Sequence, residues 1–250
     1  MSAAKVEYLL RLADNALVLS QRLAEWCGKG PALEEDLATT NTALDLLGQA
    51  RLWLAYAGEL EGKGRDEDRL AYHRDANEFR NALLVEQPNG HYGDTIARQF
   101  YFDAFHLPLL RALADSSDTR IADIAAKSAK EAAYHLERSS DWVIRLGDGT
   151  EASRARMQQS VDDLWMYTGE LFAADDLDRA MAEAGIGPDL AALREPWLEK
   201  VRGIFSEATL TAPGEAWMQR GGKQGVHTEK LGFLLAEMQY LQRAYPDARW

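Results

Sequence analysis

DTRIADIAAKSAKEAAYHLERSSDWVIRL, residues 118–146, is the stretch whose reading decides the fold class. Ile121, Ala125, Ser128, Ala132, His135, Ser139 and Trp142 recur at steps of three and four. That spacing is the period of one helix face and not the alternation of a strand. Asp118 is a residue type that starts helices, and Gly147 and Gly149 close this one. A helix approaching thirty residues follows. Working outward, Leu46, Gln49, Trp53, Tyr56 and Leu60 share one face of a second long helix, Leu33 to Leu60, which ends at the GKG of residues 62–64. Val6, Leu9, Leu10, Ala13, Leu17, Ala24 and Cys27 mark a first helix running to about Gly28, and Gly28, Gly30 and Pro31 break the chain between the two. A shorter helix is expected over 67–85, followed by a turn at Gln87-Pro88-Asn89-Gly90. Asp94 is expected to cap a helix from Thr95 that Pro108 kinks. Further helices are expected over 152–172, 175–183, 189–209 and 228–244.

Composition agrees: 39 Ala and 34 Leu stand against 7 Val and 6 Ile, which favours helix formers over the β-branched residues that strands prefer. The expectation is an all-α protein of seven to nine helices, a long four-helix bundle with additional helices. No internal repeat and no Pro/Ser linker divides the chain, so residues 1–250 read as a single domain.

Charge narrows the function. With 28 basic and 40 acidic residues the chain carries −12, which disfavours nucleic acid, because that affinity comes from Lys and Arg neutralising phosphates. No apolar run approaches the roughly 20 residues that span a bilayer. Glu7 and Asp14 lie where a signal peptide would need an apolar centre, and the single Cys27 forms no internal disulfide, so a cytoplasmic location is expected.

Bundles of this size often hold two metals through a Glu from each of two helices and a Glu-x-x-His from each of the other two. Of the five histidines only His106 has an acidic residue three positions before it, Asp103, and one such pair is not a dinuclear site. Glu131 and His135 stand four apart, but a zinc motif would need a second histidine on that face. Gly221-Gly222-Lys223-Gln224-Gly225 lacks P-loop spacing and reads as a flexible loop. No Gly-x-Ser-x-Gly occurs and Cys27 has no activating neighbour in sequence. Physical chemistry alone reads Gln49 and His135 as core residues with hydrogen-bond partners.

Six blocks carry a resemblance: DNALVLSQRLAEWCG (14–28), LDLLGQAR (44–51), LLVEQPNGHYGDTIARQ (83–99), KEAAYH (130–135), ELF (170–172) and HTEKLGFLLAEMQYLQR (227–243). They resemble the C subunits of bacterial phenylacetyl-CoA epoxidases. The resemblance implies a ferritin-like fold and a structural role beside a related catalytic A subunit, a di-iron monooxygenase that forms the ring 1,2-epoxide of phenylacetyl-CoA in phenylacetate breakdown. Other subunits, including a reductase, are implied partners, and self-association is left open. The catalytic relatives carry Asp-Glu-x-Gly-His on the second helix, where this chain has Asp45-Leu46-Leu47-Gly48-Gln49. Their Lys-Glu-Glu-x-x-His becomes Lys130-Glu131-Ala132-Ala133-Tyr134-His135. By the same resemblance Gln21 stands where the first helix would offer a glutamate, and Asp103 keeps a carboxylate. Gln21, Leu46, Gln49, Asp103, Ala132 and His135 are thus the positions of a degenerate metal site. No metal or other cofactor is expected in this chain, and di-iron is expected in the partner. Glu78, Phe79, Arg80 and Asn81 are candidate substrate contacts, and Val85 to Arg98, with Tyr92, Asp94 and Arg98, is a candidate docking segment. The alternative is an independent ferritin-like enzyme that uses Asp103 with His135 or His106.

Overall fold

The computed structural model describes residues 2–246 and 248. Among them nine α-helices form and no strand does: α1 (Ser2–Ala24), α2 (Leu33–Glu61), α3 (Glu67–Tyr72), α4 (Tyr92–Leu113), α5 (Thr119–Gly147), α6 (Glu151–Trp165), α7 (Asp176–Glu183), α8 (Arg194–Glu207) and α9 (Glu229–Ala244). The all-α expectation holds. Two compact units are present, one made of the chain up to Pro88 together with the chain from Gly221 onward, the other of Asn89–Arg220.

In the first unit α1 lies along α2, and α3 and α9 pack beside them. Leu9, Ala13, Leu17, Val18 and Leu19 of α1 and Leu46, Ala50, Trp53, Leu54 and Ala57 of α2 are buried. Each large apolar side chain so placed contributes about 1.5–3 kcal/mol. Gly62 ends α2 in the left-handed region, φ 69°, a conformation that L side chains rarely adopt. The helix expected over 67–85 stops at Tyr72. Arg74 is buried and donates from its guanidinium to the distant Asp14 carboxylate and to the nearby Leu70 and Glu78 carbonyls. Asp75 and Glu78 then cap a single 3-10 turn, and Ala82 N–H donates to Asn15 Oδ1 at 2.8 Å. The glycine-rich stretch 221–225 is not a loose loop either. A Cβ at Gly222 would stand 2.1 Å from the Asn81 carbonyl oxygen, and one at Gly225 2.2 Å from that of Asn77, so both glycines are fitted to backbone.

In the second unit α4 is surrounded: Ile96, Phe100, Tyr101, Phe102, Phe105 and Leu109 are all buried. The helix starts earlier than expected because His91, not Asp94, is its N-cap. His91 Nδ1 accepts from Asp94 N–H at 3.3 Å and the Asp94 carboxylate accepts from His91 N–H at 2.9 Å, a reciprocal cap. The helix runs on through Pro108 to Leu113. α5 presents its small-residue stripe to α4, while α6 and α8 pack around this pair. Trp165 and Trp197 stack at 5.6 Å beside Tyr101, whose hydroxyl donates to the Val161 carbonyl at 3.1 Å. α6 ends at Trp165, short of the expected Phe172. Gln219 N–H takes the Met166 carbonyl at 2.8 Å, and the Thr168 hydroxyl takes that of Trp165.

Candidate functional site

Two buried polar clusters stand out, one in each unit. In the second unit α4 and α5 bring together Gln99, Asp103, His106, His135 and Ser139. Asp103 is fully buried and both its oxygens are engaged, accepting from Gln99 Nε2 at 2.7 Å and from Ser139 Oγ at 2.8 Å. Burial pushes its carboxyl up to about 6, against the pull of the His135 charge and those two hydrogen bonds. The His106 imidazole lies against the Phe102 ring at 4.8 Å, and burial, with a smaller push from His135, lowers its pKa to about 3. His106 is therefore neutral at ordinary pH. Gln99 Oε1, His106 Nδ1 and Ser128 Oγ are buried without a hydrogen-bond partner among the described residues. Ala132 sits on the same face of α5, fully buried.

The first unit holds Leu46 and Gln49 on the buried face of α2 and Gln21, partly exposed, on α1. Its dense polar cluster lies elsewhere, around Glu86. That carboxylate is fully buried and accepts from Thr228 N–H at 2.7 Å, Thr228 Oγ1 at 2.8 Å and Asn81 Nδ2 at 2.9 Å, with His227 Nδ1 at 2.7 Å. The other ring nitrogen of His227 meets the Phe79 carbonyl at 3.0 Å. Burial opposes charge on this imidazole, but the hydrogen bonds to Glu86 and Phe79 prevail and raise its pKa. Arg22 donates Nε and a terminal nitrogen to the Glu86 carbonyl at 3.0 and 2.8 Å. The cluster fastens the start of α9 to the segment after α3. Sequence reasoning missed it, because Glu86 and His227 are 141 residues apart.

Of the candidate contacts 78–81, Phe79 and Asn81 are fully buried. The Arg74 guanidinium stands 4.3 Å from the Phe79 ring centroid, and Asn81 serves Glu86. Arg80 is ion-paired to Glu7, and Glu78 accepts from Asp75 N–H at 2.8 Å. In the segment 85–98, Val85 and Arg98 are fully buried, and Arg98 donates to Asn89 Oδ1 at 2.7 Å. Asp94 accepts from Ser160 Oγ at 2.7 Å, while the Tyr92 ring meets Trp142 edge-on at 5.3 Å. Much of that segment faces inward.

A family model described as phenylacetic acid catabolic protein matches residues 1–250. The chain belongs to this family. It is 55% identical over 243 residues to the C subunit of the 1,2-phenylacetyl-CoA epoxidase of Escherichia coli (strain K12), a match that covers 97% of this chain and 98% of that one. The ferritin-like, all-α class of the phenylacetic acid catabolic family is thus the class of this chain.

Ferritin-like relatives that hold two irons do so with carboxylates and imidazoles, and the donor sets here do not fit that task. Asp103 is a single carboxylate with both oxygens already accepting hydrogen bonds. Beside it Ala132 offers no donor, and on the buried face of α2 Leu46 is a hydrocarbon and Gln49 a neutral amide. Among the described residues no three His, Cys, Asp or Glu side chains gather as a metal-holding group. Iron needs several anionic or imidazole ligands per ion, and one carboxylate with the neighbouring His106 and His135 imidazoles does not make such a set.

Proposed function

We propose that this chain is a structural, non-catalytic member of a phenylacetyl-CoA 1,2-epoxidase complex. It binds and stabilises the di-iron catalytic A subunit in aerobic phenylacetate catabolism in the cytoplasm, within a complex that a reductase supplies with electrons. In this reading residues 1–250 act as one ferritin-like domain, and the chain itself carries no cofactor.

One observation carries the reading. Leu46 and Ala132 are fully buried where the resemblance puts ligand glutamates, and Asp103 is locked between Gln99 and Ser139. Each of these positions, within its own unit, holds either buried hydrocarbon or a carboxylate that is already engaged, which supports a chain without iron. The 55% identity to the C subunit of an epoxidase over 97% of the chain supports the assembly it works in.

A second reading has one observation in its favour: the raised carboxyl of Asp103 is the sort of perturbation found at acid–base sites, and it would make the chain an enzyme of its own with His135 or His106. Burial weighs against it, since Asp103 is 0% and His135 1% exposed and substrate would have to reach them through packed helices.

The deciding experiment expresses the catalytic subunit with and without this chain and assays phenylacetyl-CoA turnover with the reductase. The proposal expects soluble, active catalytic subunit only when the two are produced together. A catalytic subunit that is soluble and fully active alone overturns it, and turnover by this chain alone favours the enzyme reading.

A further inference from the structure

Of the eight leucines of α2, four are exposed. Leu33, Leu37, Leu44 and Leu47 are exposed at 71%, 56%, 59% and 36%. Scattered surface leucines are ordinary; these are not scattered. Steps of four, seven and three residues hold them close to one line along the helix, over about 21 Å at 1.5 Å per residue. Gly48 lies on the same line and is exposed, and a Cβ built on it would meet nothing within 4 Å.

The order of these residues is symmetric. Leu37 and Leu44 lie equally far on either side of the midpoint between Thr40 and Asn41, and so do Leu33 and Gly48. A two-fold axis beside the helix, level with that midpoint and perpendicular to it, brings two copies of α2 together antiparallel. It sets Leu37 of one against Leu44 of the other. It also lowers Leu33, the most exposed of the four, onto the bare backbone of Gly48 beside Leu47, so that each copy offers one knob and one hole. An isologous interface requires this self-matching, and a surface meant for a different partner does not.

The charges follow the same symmetry. Arg51, 74% exposed along its side chain, lies one turn beyond Gly48, and exposed Glu34 stands beside Leu33 at the other end. Antiparallel pairing brings Arg51 of each copy within side-chain reach of Glu34 of the other. In its own chain Arg51 meets Glu67 across 3.1 Å at the surface, a contact that solvent keeps weak.

We propose that this leucine stripe binds a second copy of this chain, as a two-fold, antiparallel α2–α2 pair centred on Thr40 and Asn41. The inference goes beyond the structural role proposed above and does not rest on it, because its test uses the purified chain alone.

Sedimentation at micromolar concentrations should give a dimer. Leu37→Glu with Leu44→Glu, both at exposed positions, should raise the dimer dissociation constant about 30-fold or more while leaving the circular dichroism and melting of the fold unchanged. Arg51→Glu should weaken the dimer, and adding Glu34→Arg should restore it. In a Cys27→Ser background, Asn41→Cys should cross-link to itself on mild oxidation, and Glu59→Cys, far from the axis, should not. A wild-type chain that is monomeric alone, including one that pairs only with the catalytic subunit, overturns the proposal. So does a dimer that survives the paired leucine substitutions, or one that cross-links through position 59 and not 41.

Discussion

Replacing Leu46 by glutamate asks directly whether the metal position on α2 has become hydrocarbon core. Leu46 is 0% exposed, so Leu46→Glu first removes a buried aliphatic side chain, a loss of about 1.5–3 kcal/mol. The carboxyl then finds no cation and must stay protonated. A buried glutamate of this kind reaches a pKa of about 8–9, against about 4.3 in the unfolded chain. A group whose folded pKa is raised costs nothing extra below its unfolded pKa, and each pH unit above that costs about 1.4 kcal/mol until the folded pKa is reached. At pH 7 the extra cost is therefore ~4 kcal/mol, for a total of ~5–7 kcal/mol. At ~2–4 °C per kcal/mol for a chain of this size, the melting temperature falls by about 10–25 °C. Urea unfolding of both proteins at pH 5 and pH 7 is the assay. The gap between variant and wild type should widen by ~3 kcal/mol across that interval. A gap independent of pH, or a variant as stable as wild type, would refute the reasoning by showing that position 46 is wet or already faces a cation.

Two further predictions concern the buried polar clusters. Asp103 has a folded pKa of about 6 against an ordinary 3.8, so the stability linked to its protonated form is complete below 3.8 and is lost as pH rises to about 6. Asp103→Asn should remove that loss, with a melting temperature equal to or above wild type at pH 7.5; a variant clearly destabilised there would mean that the ionised form is the one the site was built for. His227 shifts the same way with the opposite charge. Its raised pKa gives stability fully present below about 6.5 and lost as pH rises through the folded value. His227→Gln should flatten that alkaline decline in a pH series of melting curves, and a slope unchanged by the substitution would place its origin elsewhere.

The long helices were legible because twenty or more residues of one period outweigh any local ambiguity, as in the stripes from Ile121 to Trp142 and from Leu46 to Leu60. The segment 67–85 was misread because its path is set by partners far away in sequence. Asp14 holds Arg74, Asn15 holds Ala82, and Gln239 donates to the Ala71 and Arg74 carbonyls at 3.1 and 3.0 Å. No local pattern carries that information. The same holds for the fitted glycines 222 and 225, whose neighbours come from 77–83. At the Asp103 cluster the sequence went further, since Gln99 lies one helical turn from Asp103, and Ser139 and His135 belong to the stripe on which the fold was read. What it could not show was that both Asp103 oxygens are already taken.

The most direct test of the central claim is the iron content of each chain, separated after co-expression with the catalytic subunit and purification of the complex. Iron is expected with the catalytic subunit and none with this chain, because Leu46, Gln49 and Ala132 carry neither a carboxylate nor an imidazole. Two iron atoms per copy of this chain would contradict that claim.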